Sequence, residues 1–275
     1  MPISHVDVPG ASLYVVDEGV GPPIVLLHAG IADLRSWAAL APLLVAAGYR
    51  AVRYDARGFG KSATEDVEFS HRADLIAVMD ALGIGRAVLV GNSRGGMLAF
   101  DTAIESPKRV VAVVGVGAGV GGLDGGATRE EITLFGEYER IDQADPFDAE
   151  ALTAFEVHIW ADGPSQPAGR AELAIRDLVY TMNLPLNQTT HVRGREIALD
   201  PRAGERLTEM RCPVLAVAGT LDFSATVQVA RRLEADAPNA RALVWDDVAH
   251  MIGMEVPDRV ADAIVEFVGP LGRWD

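Results

Sequence analysis

The sequence predicts an α/β domain with a mostly parallel central sheet flanked by helices, interrupted once by a helical insertion. Three observations carry that expectation. Short apolar runs alternate with longer amphipathic segments through the first half of the chain, the order of a sheet wound with crossover helices. The short runs are continuously apolar rather than alternating, the mark of strands buried on both faces. The alternation stops near residue 120 and resumes at residue 213.

Taken in order, "SLYVVDEG" (12–19) and "PPIVLLHAG" (22–30) read as strands. "ADLRSWAALAPLLVAAG" (32–48) reads as a helix with Asp33 as its N-cap and Gly48 as its stop. "YRAVRYDARGFG" (49–60) is a strand ending in a glycine-rich loop, and "HRADLIAVMDALGIG" (71–85) has apolar residues at helical spacing. "RAVLVG" (86–91) is a strand, "RGGMLAFDTAIESP" (94–107) a helix, and "RVVAVVGVGAG" (109–119) another strand. Between about 120 and 205 no buried strand is evident; helical stretches such as "REEITLFGEYERI" and "ALTAFEVHIWADG" are punctuated by Pro164, Pro167 and Pro185. "PVLAVAG" and "ARALVWDD" then restore the strand pattern, each followed by a helix.

Composition narrows the function classes. The 275 residues are 49% hydrophobic and 23% charged, enough for a core of ordinary size. The formal charge of −15 repels phosphate backbones and anionic membranes, so neither nucleic acid nor membrane is expected as a partner. Cys212 is the single cysteine and excludes an internal disulfide; it reads as a small buried hydrophobe in a reducing, cytoplasmic protein. The first residues lack the basic and apolar regions of a signal peptide, and no apolar run is long enough to span a membrane. The sequence leaves monomer and homodimer both open.

Gly91-Asn92-Ser93-Arg94-Gly95 fits G-x-S-x-G between a strand and a helix, the setting in which that pattern presents a nucleophile. A serine hydroxyl needs a base. Of His5, His28, His71, His158, His191 and His250, the last stands in the loop after the final predicted strand, at the sheet edge where open α/β folds place ligands. Asp222 follows the preceding strand at the same edge and is the expected acid. Asp246 and Asp247 share the histidine's own loop and read as solvated or capping residues; Asp124 is a weaker competitor. An oxyanion needs donors, and the backbone N–H of Arg94 is one. A second is expected from "LLHAGIADLRSW", where Ala29 and Gly30 permit close approach; His28 reads as a residue that holds this loop. Trp160 and His158 are the candidate pocket residues of the helical region, where packing is the more ordinary role of such side chains. No metal-ligand spacing or phosphate-binding loop is present, so no cofactor and no metal are expected.

These motifs together resemble the α/β-hydrolases over nearly the whole chain. "HAG" with Trp37 beyond it resembles the family's His-Gly-x loop, with Ala29 in place of the usual glycine. "YDARGFGKS" resembles its D-x-R-G-x-G-x-S loop, "GNSRGG" its nucleophile elbow, and "CPVLAVAGTLD" and "AHMIGMEVPDRV" its acid and histidine segments. The resemblance implies a core of residues 1–120 and 206–275 and a helical cap of 121–205 inserted after the sixth strand. It implies Gly30 N–H as the second oxyanion donor and Asp55 and Arg57 as residues that shape a loop. Arg94 departs from the usual apolar or amide residue after the nucleophile, and Asp101 and Glu105 are candidate partners for its side chain. The expected activity is a serine hydrolase acting on a small carboxylic ester through an acyl-enzyme. Lactone hydrolysis is an alternative, since the "HAGIADLRSW" loop and chain size are similar to those of enol-lactonases. C–C bond hydrolysis, cofactor-free perhydrolysis and a ligand-binding receptor on the same fold are the others.

Overall fold

A computed structural model of the chain describes residues 3–189 and 194–274, so that His191 lies outside the described residues. The main sheet contains β1 (Ile3–Val8), β2 (Ala11–Glu18), β3 (Pro23–Leu27), β4 (Arg50–Tyr54), β5 (Ala87–Asn92), β6 (Val110–Val116), β7 (Val214–Gly219) and β8 (Ala240–Trp245). Their order across the sheet is β1-β2-β4-β3-β5-β6-β7-β8, and a two-residue strand, Ala63–Thr64, pairs with β2. The β1–β2 and β2–β4 pairs are antiparallel, and every pair from β4 to β8 is parallel.

Every residue of β3, β5, β6 and β7 is buried, as the continuous apolar runs require. Helices α2 (His71–Ala81), α3 (Arg94–Glu105) and α7 (Ser224–Asp236) cover one face with Leu75, Met79, Phe100 and Leu233. Helices α1 (Leu40–Ala46) and α9 (Pro257–Val268) cover the other with Leu40, Leu44, Ile264 and Val268. Between β6 and β7 the chain forms α4 (Arg129–Asp142), α5 (Ala149–Val157) and α6 (Leu173–Gln188); a short helix, α8 (Ile252–Glu255), precedes α9. Among the described residues no helix is long and apolar enough to cross a membrane.

Three local readings change. The helix expected over 32–48 is two pieces: Asp33 caps a single 3₁₀ turn, Leu34–Trp37, and α1 begins afresh at Leu40. Pro42 is the physical cause, because its ring clashes with a carbonyl one turn back and it has no N–H to donate; the first turn of a new helix tolerates both. Pro185 does not separate elements but sits inside the last turns of α6. Strand β1, unassigned from sequence, is an edge strand that buries Val6 and Val8 and exposes His5 and Asp7. Cys212 is half-buried against the core, and burial pushes its thiol up to about 11.

The tightest backbone crossing lies where β5 turns into α3. A Cβ on Gly91 would stand 2.2 Å from the Gly95 carbonyl carbon, one on Gly95 would stand 2.1 Å from Leu27 O, and one on Gly96 would meet Ala118 Cβ at 2.3 Å. All three glycines are therefore demanded by close approach. Gly95→Ala is expected to lower stability by about 3 kcal/mol, the upper range for forced overpacking, read as a shift in the urea-unfolding midpoint.

Candidate active site

Ser93 occupies the corner between β5 and α3 with φ +52°, a left-handed conformation rare for a residue with a side chain. Its N–H donates to Val116 O at 3.0 Å, which holds the corner against β6. Strain of this kind persists only where the surroundings over-determine it, and the glycine crossing does so here. The turn aims Ser93 into a cavity of about 390 Å³ that is also lined by His250, Trp160, Phe135, Tyr138 and Glu156.

Asp222 and His250 come from the ends of β7 and β8. Asp222 Oδ2 lies 2.8 Å from His250 Nδ1, and both side chains are nearly inaccessible to solvent. Because a carboxylate only accepts, Nδ1 carries the proton and Nε2 keeps a lone pair. The second Asp222 oxygen accepts from Phe223 N at 2.7 Å. Asn92, beside Ser93, donates to Val116 O at 2.8 Å and to His250 O at 3.1 Å, tying the histidine loop to the elbow. The alternative acids stand apart from His250's ring: Asp124 accepts from Gly126 N in an exposed turn, and Asp246 and Asp247 are exposed, with the backbone N–H of Asp247 donating to Thr220 Oγ1.

Gly30 and Arg94 both line the same cavity wall, and a Cβ on Gly30 would stand 3.9 Å from Arg94 Cδ. The Gly30 loop is pinned from the β4 side. His28 Nδ1 donates to Ala29 O at 2.8 Å while its Nε2 accepts from Ala56 N at 2.9 Å. Asp55 accepts from Leu34 N at 2.8 Å and from Lys61 N at 2.7 Å. Arg57 makes a two-pronged, buried pair with Asp74. Burial, reinforced by the Arg94 charge, lowers His28 from its usual 6.5 to about 3; burial also lifts Asp55 to about 6.

The Arg94 side chain pairs with neither Asp101 nor Glu105. Glu105 takes Arg72 at 2.9 Å, and Asp101 Oδ1 has no hydrogen-bond partner. The guanidinium instead stacks 4.5 Å over Phe59, with Nε and Nη1 buried and unbonded. Burial lowers its pKa.

Trp160 lines the cavity, its ring 4.5 Å from His250 and 4.7 Å from Phe223. It stands on a single π-helical turn, His158–Asp162, that ends α5. His158 is not part of the cavity wall; its Nδ1 faces Asp162 Oδ2 at 3.5 Å, which corrects its assignment as a pocket residue. The sequence reading passed over Phe135, Tyr138 and Glu156. Their signal is faint: all three stand on helices α4 and α5 that carry no motif. Glu131 fixes α4 by accepting from Ser224 N at 2.6 Å, at the start of α7.

A family profile described as "alpha/beta hydrolase fold" matches residues 22–257. The chain belongs to the α/β-hydrolase family. A 2-hydroxy-6-oxononadienedioate/2-hydroxy-6-oxononatrienedioate hydrolase from Burkholderia vietnamiensis is 30% identical over 271 residues, covering 92% of this chain and 89% of that one. Among solved structures, the esterase RhEst1 from Rhodococcus sp. ECU1013 is 26% identical with a TM-score of 0.75, over 99% of this chain and 100% of that one. Est816, described as an N-acyl homoserine lactone degrading enzyme, is 25% identical with a TM-score of 0.73, over 96% of this chain and 100% of that one.

Two stability effects follow. His28 is lowered in the native state, so below its usual value the unfolded chain binds a proton that the folded chain refuses. Its stabilising contribution is complete above pH 6.5 and is lost as the pH falls toward 3. Urea unfolding across this range is expected to show the gap between wild type and His28→Ala narrowing by about 1.4 kcal/mol per pH unit. Arg94→Met removes a buried, unbonded guanidinium and is expected to stabilise the fold by about 1–2 kcal/mol in thermal unfolding.

Proposed function

We propose that this hydrolase cleaves a carboxylic ester through an acyl-enzyme, with Ser93 as nucleophile, His250 as general base and acid, and Asp222 as the orienting acid. The observation that carries the reading is the 2.8 Å Asp222–His250 hydrogen bond beside a cavity that both Ser93 and His250 line. Ser93 Oγ attacks the carbonyl carbon as His250 Nε2 takes its proton. Asp222 stabilises the resulting imidazolium. The N–H groups of Arg94 and Gly30 receive the oxyanion, and the start of α3 adds its dipole. His250 then returns the proton to the leaving alcohol. Water repeats the attack on the acyl-enzyme, releasing the acid and restoring Ser93. Helices α4 to α6 act as the cap over the cavity, with Trp160 against His250. The esterase likeness of RhEst1 over the full chain agrees with this reading.

C–C bond hydrolysis is the second reading, favoured by the 30% identity over nearly the whole chain to a hydrolase of oxo-dienedioates. The two are separated by offering the protein short p-nitrophenyl esters and a 2-hydroxy-6-oxo-dienedioate side by side; faster turnover of the latter moves the assignment.

On the ester, Ser93→Ala and His250→Ala are each expected to lower kcat by about 10⁴-fold or more, with the double variant no worse than either, because the pair acts as a unit. Asp222→Asn is expected to cost about 10³–10⁴-fold. Equal turnover by wild type and Ser93→Ala would overturn the reading.

A further inference from the structure

The cavity at Ser93 adjoins a second cavity of about 480 Å³ between α4, α5 and α6; Gly30, Tyr138 and Glu156 line both. Glu156 is 5% exposed. Its Oε2 accepts from Asn183 Nδ2 at 2.6 Å and from Asn187 Nδ2 at 2.7 Å, while Oε1 accepts from Tyr138 OH at 3.2 Å. A carboxylate has about four acceptor sites, and three are filled. Among the described residues no arginine, lysine or histidine bonds Glu156, and none lines the second cavity, to which Asp142 adds another carboxylate. In the first cavity the basic residues are His250 and Arg94, whose guanidinium is stacked on Phe59.

We infer that Glu156 selects the substrate: resting on the ester-hydrolase reading, the site takes esters whose far end carries a hydrogen-bond donor, hydroxyl or ammonium, and rejects those ending in a carboxylate. The donor occupies the remaining acceptor site of Glu156 at the junction of the two cavities. A site built around a polar group discriminates strongly against a partner that leaves it unpaired, and more strongly against one of like charge.

The test compares kcat/KM for p-nitrophenyl esters of hexanoate, ω-hydroxyhexanoate, ω-aminohexanoate and adipate (as the monoester). A matched set of acetates carries the same four ends on the alcohol. In at least one set the hydroxyl and ammonium ends are expected to exceed the carboxylate end by about tenfold or more, the value of a hydrogen bond to a charged group. The ratio of ammonium to hydroxyl ends separates charge recognition from donor recognition. Glu156→Gln is expected to shrink the ammonium-to-hexyl ratio by about tenfold; because each ratio is taken within one variant, incomplete folding leaves it unchanged. Equal kcat/KM for all ends in both sets, with Ser93-dependent turnover intact, overturns the Glu156 assignment alone. A Glu156→Gln loss that is uniform across the ends also overturns it, as does a wild-type preference for carboxylate. Absence of turnover on every ester overturns the ester reading and this inference together.

Discussion

The site depends on one crossing of bare backbone. Helix α3 sits so close to the ends of β3 and β5 that the position of a Gly95 Cβ coincides with the Leu27 carbonyl. No side chain fits there, and none is present. The same approach forces Ser93 into its left-handed corner, turns the first free N–H groups of α3 toward the serine, and brings the stem of Arg94 against Gly30. Ser93, helix terminus and neighbouring loop are thus placed by a single packing constraint, which repays the conformational cost at Ser93 through burial elsewhere.

The loops around that crossing are held by polar groups rather than by apolar packing. His28 is read by backbone on both ring nitrogens, Asp55 spans two loops through two N–H groups, and Asn92 joins the elbow to the histidine loop. Buried polar groups fix geometry because each unmade bond is costly. They also make the loops mutually dependent: Ala56 and Leu34 supply donors to side chains from the opposite loop. The Asp222–His250 pair is seated in the same manner, since the Asp222 carboxylate is held by its own chain at Phe223 N as well as by His250.

Legibility in the sequence followed the kind of physics involved. The parallel sheet was readable because strands buried on both faces lose alternation; Ser93 and Asp222 each follow such a strand, and His250 follows the partly exposed edge strand β8. Edge strand β1 escaped notice since a short alternating run resembles an exposed terminus. The break at Pro42 and the continuity through Pro185 were misjudged because proline's effect depends on which turn of a helix it occupies. The cavity wall was the least legible part. Phe135, Tyr138 and Glu156 meet only through tertiary packing of α4, α5 and α6, and one-dimensional spacing does not record which face of a helix looks toward a cavity. His158, two residues from Trp160, shows the limit: on the π turn the two rings diverge, one to His250 and the other to Asp162. The direction of the Arg94 side chain was equally hidden, since sequence proximity to Asp101 and Glu105 suggested pairs that the packing does not make.

The unpaired Arg94 guanidinium gives the molecule two electrical regimes. From outside, a chain of net charge −15 opposes the arrival of anions over a screening distance of about 8 Å at physiological salt. At the elbow the potential turns locally positive, where the helix terminus and the buried guanidinium stand together. On the proposed mechanism, negative charge would be stabilised where bond-making generates it rather than recruited from solution. On the proposed reaction, a carboxylate product leaving the elbow passes Glu156 and Asp142 and then the acidic surface, so its energy rises toward that rim and falls only beyond it, in open solvent. The rim that slows the arrival of anions therefore also opposes the return of such a product once it has left.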